Sequence, residues 1–402
     1  MATVDSIVIA GAGQAGGRAA EALRAAGFAG RVTLIGAEPY APYERPQLSK
    51  QFLATPDTAA TYLRHRDAWL AELKVDLVTD TALVAGDAGR RVVADRAGRE
   101  FSFDRLLIAT GTVARELAVL KGDPRVHTLR SIADATRLRT QLHTKAKVVI
   151  IGGGVIGLEA AAAAAKLSCD VTVIESQGHL LARAFPKIVS GVVEAKHRAA
   201  GLRFIFGETV TVATPAGVRL GDGRELAADV ILVGVGVEPS PVLAQALGLA
   251  CNGGIAVNAF GETDAPGIFA AGDIALQESP WHGRRLRVET WANAQNQAIA
   301  TARNIMGAQQ PYTDPPWFWT DQYDLNVQVV GDLTQGEIVV RGAVESGRFS
   351  VAGLRDGEVV GAVAVNAAKD MAMFRRLVAA RARLSPADVA SPAFDLRRAL
   401  AA

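Results

Sequence analysis

The sequence predicts an α/β fold with two dinucleotide-binding βαβ units and a smaller α+β domain at its C-terminal end. Three observations carry that expectation. The loop Gly11-Ala12-Gly13-Gln14-Ala15-Gly16 directly follows the apolar run 6–10 and opens an alanine-rich stretch. A second loop, Gly152-Gly153-Gly154-Val155-Ile156-Gly157, stands in the same way between the apolar run 148–151 and another alanine-rich stretch. From about Pro315 the pattern changes to short β-type runs that lead into one helical stretch. Glycines so placed let the backbone turn tightly and approach a pyrophosphate, whose charge meets the free N–H groups of a helix N-terminus. The strand-loop-helix context makes each a Rossmann-type unit rather than a chance turn. Two such units in one chain suggest two dinucleotides face to face, and so electron transfer between a flavin and a nicotinamide.

Each unit continues to a second strand. In the first, residues 31–35 follow the turn-like 27–30 and lead to Glu38; in the second, residues 170–174 end at Glu175. A carboxylate at that strand tip accepts hydrogen bonds from ribose hydroxyls, roughly 20 residues after the glycines. Glu175 also repels a 2′-phosphate, and Ser176-Gln177 supplies no arginine to receive one, so NADH is expected over NADPH. Glu38 stands one or two residues later than ideal and equally fits a solvated loop. Further apolar runs end in glycine, as strands buried on both faces do where they approach a ligand. Residues 106–108 run into Ala109-Thr110-Gly111, 230–233 into Gly234-Val235-Gly236, and 268–271 into Gly272-Asp273. In the last domain, strands are expected at 327–330, 338–340, 349–351 and 359–365, with a helix over 367–382.

Composition narrows the class. Half of the residues are apolar and 21% charged, as in soluble globular proteins, and a net charge of +2 argues against a general nucleic-acid surface. Cys169 and Cys251 form no CxxC pattern, which fits a reduced, cytoplasmic setting. The opening residues read as the first strand rather than as a secretory leader. Residues 148–167 have membrane-like length, but the glycine turn and Glu159 make a buried strand-turn-helix the expectation. His65, His127, His143, His179, His197 and His282 form no metal pattern and are expected at surfaces or caps. No metal site is expected.

Taken in order, the motifs 11–16, Pro42-Tyr43-Glu44-Arg45-Pro46-Gln47-Leu48-Ser49-Lys50, 109–111, 152–157, Gly272-Asp273, Glu289-Thr290-Trp291 and Trp317-Phe318-Trp319-Thr320-Asp321-Gln322 resemble a known family. They are similar to the FAD-dependent, NADH-oxidising ferredoxin reductases of bacterial oxygenase systems: putidaredoxin reductase, rubredoxin reductase and, most of all, the biphenyl dioxygenase reductases. The resemblance spans essentially the whole chain. It implies a glutathione-reductase-like fold with a discontinuous FAD-binding domain (1–108 and 241–314), an NAD-binding domain (109–240) and a C-terminal α+β domain (315–402). It implies FAD and NADH as cofactors and a [2Fe-2S] ferredoxin, feeding a Rieske dioxygenase or a haem monooxygenase, as partner. A monomer or homodimer is expected, with no membrane or nucleic acid.

The resemblance also implies site residues. Gly11, Gly13, Ala15 and Gly16 match the FAD pyrophosphate loop, and Ala109, Thr110, Gly111 and Gly272 match further FAD-contacting backbone. Arg45 matches a position near the adenine, Lys50 one near the flavin ring, and Leu83 and Arg130 further contacts. Asp273 matches the ribityl-binding carboxylate, and Trp291 a residue beside the isoalloxazine; Trp319 is expected over the flavin edge or in core packing. For NADH the matches are Gly152, Gly154, Val155, Ile156, Gly157 and Gly236, with Glu159 at the nicotinamide end and Glu175 at the ribose. Ala37 stands where the family often has an acid, so ribose binding there depends on Glu38. Gln47 replaces a frequent proline and Thr320 a frequent serine.

No acid, base or nucleophile is required, because a flavin takes hydride from NADH and releases electrons singly. Lys50 is the expected electrostatic residue, with Glu159 and Trp319 as its catalytic companions. On residues alone, Lys50 reads as a surface lysine, Asp273 as a helix cap and Glu159 as a partner of the helix dipole. Trp317 and Trp319 alternate onto one face, for core packing or for shielding the flavin edge. Arg375, Arg376, Arg381, Arg383, Arg397 and Arg398 make either a solvated face or a docking surface for an acidic ferredoxin. The missing cysteine pair near Lys50 argues against a disulfide reductase. A quinone-reducing NADH dehydrogenase and a scaffold flavoprotein like apoptosis-inducing factor remain as alternatives.

Overall fold

A computed structural model describes residues 4–55, 57–334 and 336–400. The chain divides into two compact units. The first comprises Met1–Glu44, Ala60–Val113 and Glu238–Pro316; the second comprises Arg45–Ala59, Ala114–Val237 and Trp317–Ala402.

Among the described residues, the first unit is built on a five-stranded parallel sheet with the strand Ser6–Ala10 at its centre. Arg31–Ile35 and then Val75–Val78 lie on one side, Arg105–Ile108 and then Ile268–Ala270 on the other. The first nucleotide helix, Gln14–Ala25, buries Ala15, Gly16, Ala19, Ala20 and Leu23, the spacing of one helical face. It ends where Gly27 adopts φ +84°, with Gly27 N–H donating to Arg24 O and Phe28 N–H to Leu23 O. Small residues let a second helix, Trp291–Ile305, lie close against it: Ala298 and Ala302 share one core with Ala19 and Ala20.

The second unit repeats the scheme. Lys147–Ile151 is central among the described strands, flanked by Asp170–Glu175 and Arg203–Phe206 on one side and by Val230–Val233 and Val126–His127 on the other. Val155–Lys166 is the second nucleotide helix. The C-terminal part of this unit is an antiparallel sheet in the order Trp317–Gln322, Leu325–Gly331, Glu358–Val365, Phe349–Arg355, Glu337–Arg341. Val327, Val329, Val351 and Val363 of that sheet share one apolar cluster with Leu158, Leu180, Val189 and Val193 of the nucleotide fold. Burying such side chains together contributes on the order of 1.5–3 kcal/mol for each. The helix expected over 367–382 spans Ala368–Ala379. It stops because Arg381 turns left-handed, φ +50°, and Ala382 then passes its carbonyl to Val359 N–H. No helix among the described residues is long and apolar enough to cross a membrane.

Candidate functional site

The two glycine loops have the same internal construction, each within its own unit. Gly11 has φ +115° and Gly152 φ +110°. A β-carbon on Gly11 would stand 2.2 Å from Ala109 O, and one on Gly152 2.4 Å from Gly234 O. Each loop therefore lies directly on the neighbouring strand end, 109–111 or 234–236. The last glycine of each motif lets helix and loop meet: a β-carbon on Gly16 would stand 1.8 Å from Gly11 O, and one on Gly157 2.2 Å from Gly152 O. Gly13 and Gly154 begin the helices with no side-chain cap, so the first N–H groups are left for a ligand.

In the first unit these features fit a bound dinucleotide. Gln14 Oε1 and Thr110 Oγ1 are buried at the loop with no hydrogen-bond partner among the described residues, which a phosphate- and hydroxyl-rich ligand can supply. Gly272, φ +79°, lets its strand end come against Ala15, where a β-carbon would stand 2.9 Å from Ala15 Cβ. Gln297 Oε1 accepts from Gly272 N–H at 2.9 Å, and Thr112 Oγ1 donates to Asp273 at 3.4 Å. Glu38 accepts from Tyr43 O–H at 2.7 Å, which fixes its carboxylate beyond the second strand while Ala37 is exposed. Leu83 begins an antiparallel strand, and Trp291 begins its helix behind the Thr290 cap.

In the second unit, Glu175 closes the strand Asp170–Glu175 with both oxygens held by backbone. Oε2 accepts from Gly153 N–H and Oε1 from Gln177 N–H, each at 2.8 Å. Oε1 also accepts from the Ser176 hydroxyl at 3.3 Å, while Oε2 keeps a lone pair for a ribose hydroxyl. Ile156 is 43% exposed in the first turn of the helix, an apolar surface that a nucleotide can cover. Gly236, φ +108°, faces Arg183.

The same unit assembles Lys50, Glu159 and Trp319. Glu159 lies on the second turn of its helix and is only 4% exposed. Ser49 Oγ donates to its Oε2 at 2.5 Å and Thr320 Oγ1 to its Oε1 at 2.6 Å. Lys50 Nζ stands 3.4 Å from Glu159 Oε1 and 3.1 Å from Asp321 Oδ2. Burial pushes the Glu159 carboxyl above its ordinary range, against the opposing pull of Lys50, Ser49 and Thr320. Trp319 Nε1 donates to Asp321 Oδ2 at 3.1 Å, and Lys50 Nζ lies 5.6 Å from the centroid of its ring. Strand alternation puts Trp317 and Trp319 on one face, where they stack at 5.3 Å and 24°. The Arg375 guanidinium lies 4.4 Å from the Trp317 ring centroid.

Of the residues expected at FAD, Gly11, Gly13, Ala15, Gly16, Glu38, Leu83, Ala109, Thr110, Gly111, Gly272, Asp273 and Trp291 fall in the first unit. Arg45, Lys50, Arg130 and Trp319 fall in the second, where Arg45 Nη1 donates to Arg130 O at 2.6 Å. Ser49 in the motif 42–50, and Asp321 and Gln322 in 317–322, carry no expected role, yet they form hydrogen bonds in this cluster. His197, expected at the surface, is fully buried and bonds to Gln322. The signal was available: Val189, Val193 and His197 recur every four residues on one helix face.

Two dinucleotide folds, with a lysine–carboxylate cluster at Lys50, point to a pyridine-nucleotide oxidoreductase. Comparison with known proteins agrees. Residues 5–298 match the family model described as pyridine nucleotide-disulphide oxidoreductase, and residues 317–400 match the reductase C-terminal model. A p-cumate 2,3-dioxygenase ferredoxin–NAD(+) reductase component of Pseudomonas putida is 43% identical, over 98% of each chain. The biphenyl dioxygenase counterpart of Paraburkholderia xenovorans is 37% identical over 99% of each. The p-cumate protein thus stands nearer than the biphenyl type that the motifs suggested. The reductase in a covalent putidaredoxin reductase–putidaredoxin complex superposes with a TM-score of 0.93 at 34% identity, covering 99% of this chain and 98% of that one. This chain belongs to the pyridine nucleotide-disulphide oxidoreductases, within them to the ferredoxin–NAD(+) reductases. It is an oxidoreductase that uses FAD and NAD(H).

Proposed function

We propose that the chain oxidises NADH and passes the electrons one at a time to a [2Fe-2S] ferredoxin that supplies a terminal oxygenase. The observation that carries this is a continuous line of contacts. It runs from buried Glu159 through Lys50 and Trp319 to Trp317 and ends on Arg375, exposed on the helix Ala368–Ala379. FAD, when bound, accepts hydride from NADH and gives up electrons singly. Lys50 offers a positive charge in a confined, weakly solvated place, where it stabilises developing negative charge most strongly. Glu159 and Asp321 hold that ammonium in position, and Glu159 orients the carboxamide end of NADH. Trp319 shields the site and lines the way to the partner.

The reading assigns FAD to residues 1–108 and 241–314, NADH to 109–240 and the partner-facing domain to 315–402. The loop at Gly11, Gly13, Ala15 and Gly16 holds the FAD pyrophosphate. Ala109, Thr110, Gly111, Gly272 and Asp273 follow it toward the ribityl chain, with Glu38, Arg45, Leu83, Arg130 and Trp291 as further contacts. Gly152, Gly154, Val155, Ile156, Gly157, Glu175 and Gly236 hold NADH. A cytoplasmic setting goes with this reading.

Two results test it. Glu175→Ala is expected to narrow the NADH-over-NADPH preference in flavin reduction by about tenfold, since like charges brought together cost several kcal/mol. An unchanged preference would remove Glu175 from the ribose site. Arg375→Glu with Arg376→Glu, both positions exposed, is expected to raise the apparent KM for an acidic ferredoxin by about tenfold or more and to leave flavin reduction by NADH unchanged. Equal loss in both half-reactions would rule out docking on this helix.

A further inference from the structure

The carboxylate of Glu159 is the end of a longer run of hydrogen bonds, all inside the second unit. Thr320 Oγ1 reaches Glu159 Oε1 at 2.6 Å, Gln322 Nε2 reaches Thr320 Oγ1 at 3.0 Å, and His197 Nε2 reaches Gln322 Oε1 at 2.7 Å. Tyr323 O–H closes the run on His197 Nδ1 at 3.2 Å. Glu159, Thr320, Gln322 and His197 are each at most 4% exposed, whereas Tyr323 is 41% exposed. The run therefore leads from a buried carboxyl group to the protein surface through four side chains.

One charge settles every direction along it. An ionised carboxylate only accepts, so Thr320 must donate its hydroxyl proton to Glu159. Its oxygen is then the acceptor for Gln322 Nε2–H, which turns Gln322 Oε1 toward His197. His197 must therefore carry its proton on Nε2 and present a bare Nδ1 to Tyr323 O–H. Protonated Glu159 has a proton of its own to donate, and the requirement lapses. The glutamine amide is a poor proton carrier, so the run orients dipoles rather than conducts.

We infer that His197 and Gln322 are positioning residues for Glu159: through Thr320 they hold a line of donors aimed at its carboxylate and so favour its ionised form. Burial already pushes the carboxyl upward, and deletion of the line removes part of what opposes it, so Glu159 keeps its proton to still higher pH. Two directions agree with the geometry. Burial holds the His197 imidazole below its ordinary range, so it stays neutral with one N–H, and pushes Tyr323 up to about 12, so it stays a donor. The other groups around the run are accounted for. Lys196 pairs with Asp324 at 2.5 Å and Arg198 with Glu194 at 2.7 Å, while Phe204 meets His197 edge to face at 6.0 Å. At the other end stand Ser49, Lys50 and Asp321.

The inference rests on the reading that ionised Glu159 serves the site, and the test separates the two. Infrared spectroscopy follows the protonated-carboxyl stretch of Glu159 against pH in the holoenzyme, with Glu159→Gln identifying the band. In His197→Phe and Gln322→Met the midpoint is expected to rise by about one pH unit, and His197→Gln, which restores an N–H donor, returns it to the parent value. In the parent above that midpoint, 15N NMR is expected to show His197 as the Nε2–H tautomer. An unchanged midpoint in a folded His197→Phe or Gln322→Met protein overturns the inference, and so does an Nδ1–H tautomer. A Glu159→Gln enzyme that reduces its flavin at the parent rate overturns the role of Glu159 instead, whatever the infrared midpoints show.

Discussion

The Gly11→Val protein is expected to retain less than about a tenth of the FAD carried by the parent, and to unfold at lower temperature. A side chain at φ +115° alone costs on the order of 1–3 kcal/mol. Here the first added carbon also stands 2.2 Å from the carbonyl oxygen of Ala109, and that oxygen belongs to a strand end that cannot yield without moving the central sheet. The loop must therefore lift away from its neighbour, and the N–H groups at the start of Gln14–Ala25 lose their aim. Gly27→Ala is the matched control, because Gly27 also has a positive φ, +84°, but its β-carbon would meet nothing within 4 Å. That variant should lose about 1 kcal/mol of stability and keep its flavin. Flavin absorbance per mole of purified protein decides the matter. Equal yellow colour in Gly11→Val and Gly27→Ala would show that the first loop does not cradle the pyrophosphate.

Lys50→Met is expected to slow flavin reduction by NADH by about a hundredfold, the scale on which single electrostatic donors in confined sites act. Methionine keeps much of the stem and removes only the ammonium. Glu159, 3% exposed at its side chain, then loses the cation 3.4 Å away. A buried charge left without its partner costs on the order of 3–5 kcal/mol, a cost that a carboxyl group avoids by taking a proton. The sign is fixed by the structure: burial already holds Glu159 upward, and Lys50 leads the opposing influences. The variant should therefore show Glu159 protonated at pH values where the parent has it ionised. Stopped-flow reduction under anaerobic conditions reads the rate. A value within threefold of the parent would deny Lys50 its electrostatic role.

These two residues were legible to different degrees, for a physical reason. The glycine loops are local devices: strand, turn and helix lie within 25 residues of one another, so spacing alone exposes Gly11, Gly16, Gly152 and Gly157. Glu175 is legible for the same reason, closing the strand that follows the helix. The Lys50 cluster is not local. Ser49 meets Glu159 across 110 residues of sequence, Thr320 meets it across 161, and Lys50 meets Asp321 across 271. No periodicity links such segments, and only the family resemblance pointed to Lys50 and Glu159, whereas strand alternation alone pairs Trp319 with Trp317. His197 shows the opposite failure: its helix has a readable apolar face, but an ionisable residue on that face was assigned to the surface by its chemistry rather than its spacing.

The C-terminal sheet shares its apolar cluster with the second nucleotide fold, Val327 and Val363 lying in the same core as Leu158 and Val193. A chimera joined at Pro316 cuts through this core and inherits mismatched packing beneath the second nucleotide fold. Exchanging this sheet as a whole segment therefore disturbs a shared core, whereas single substitutions on its exposed surface leave that core intact.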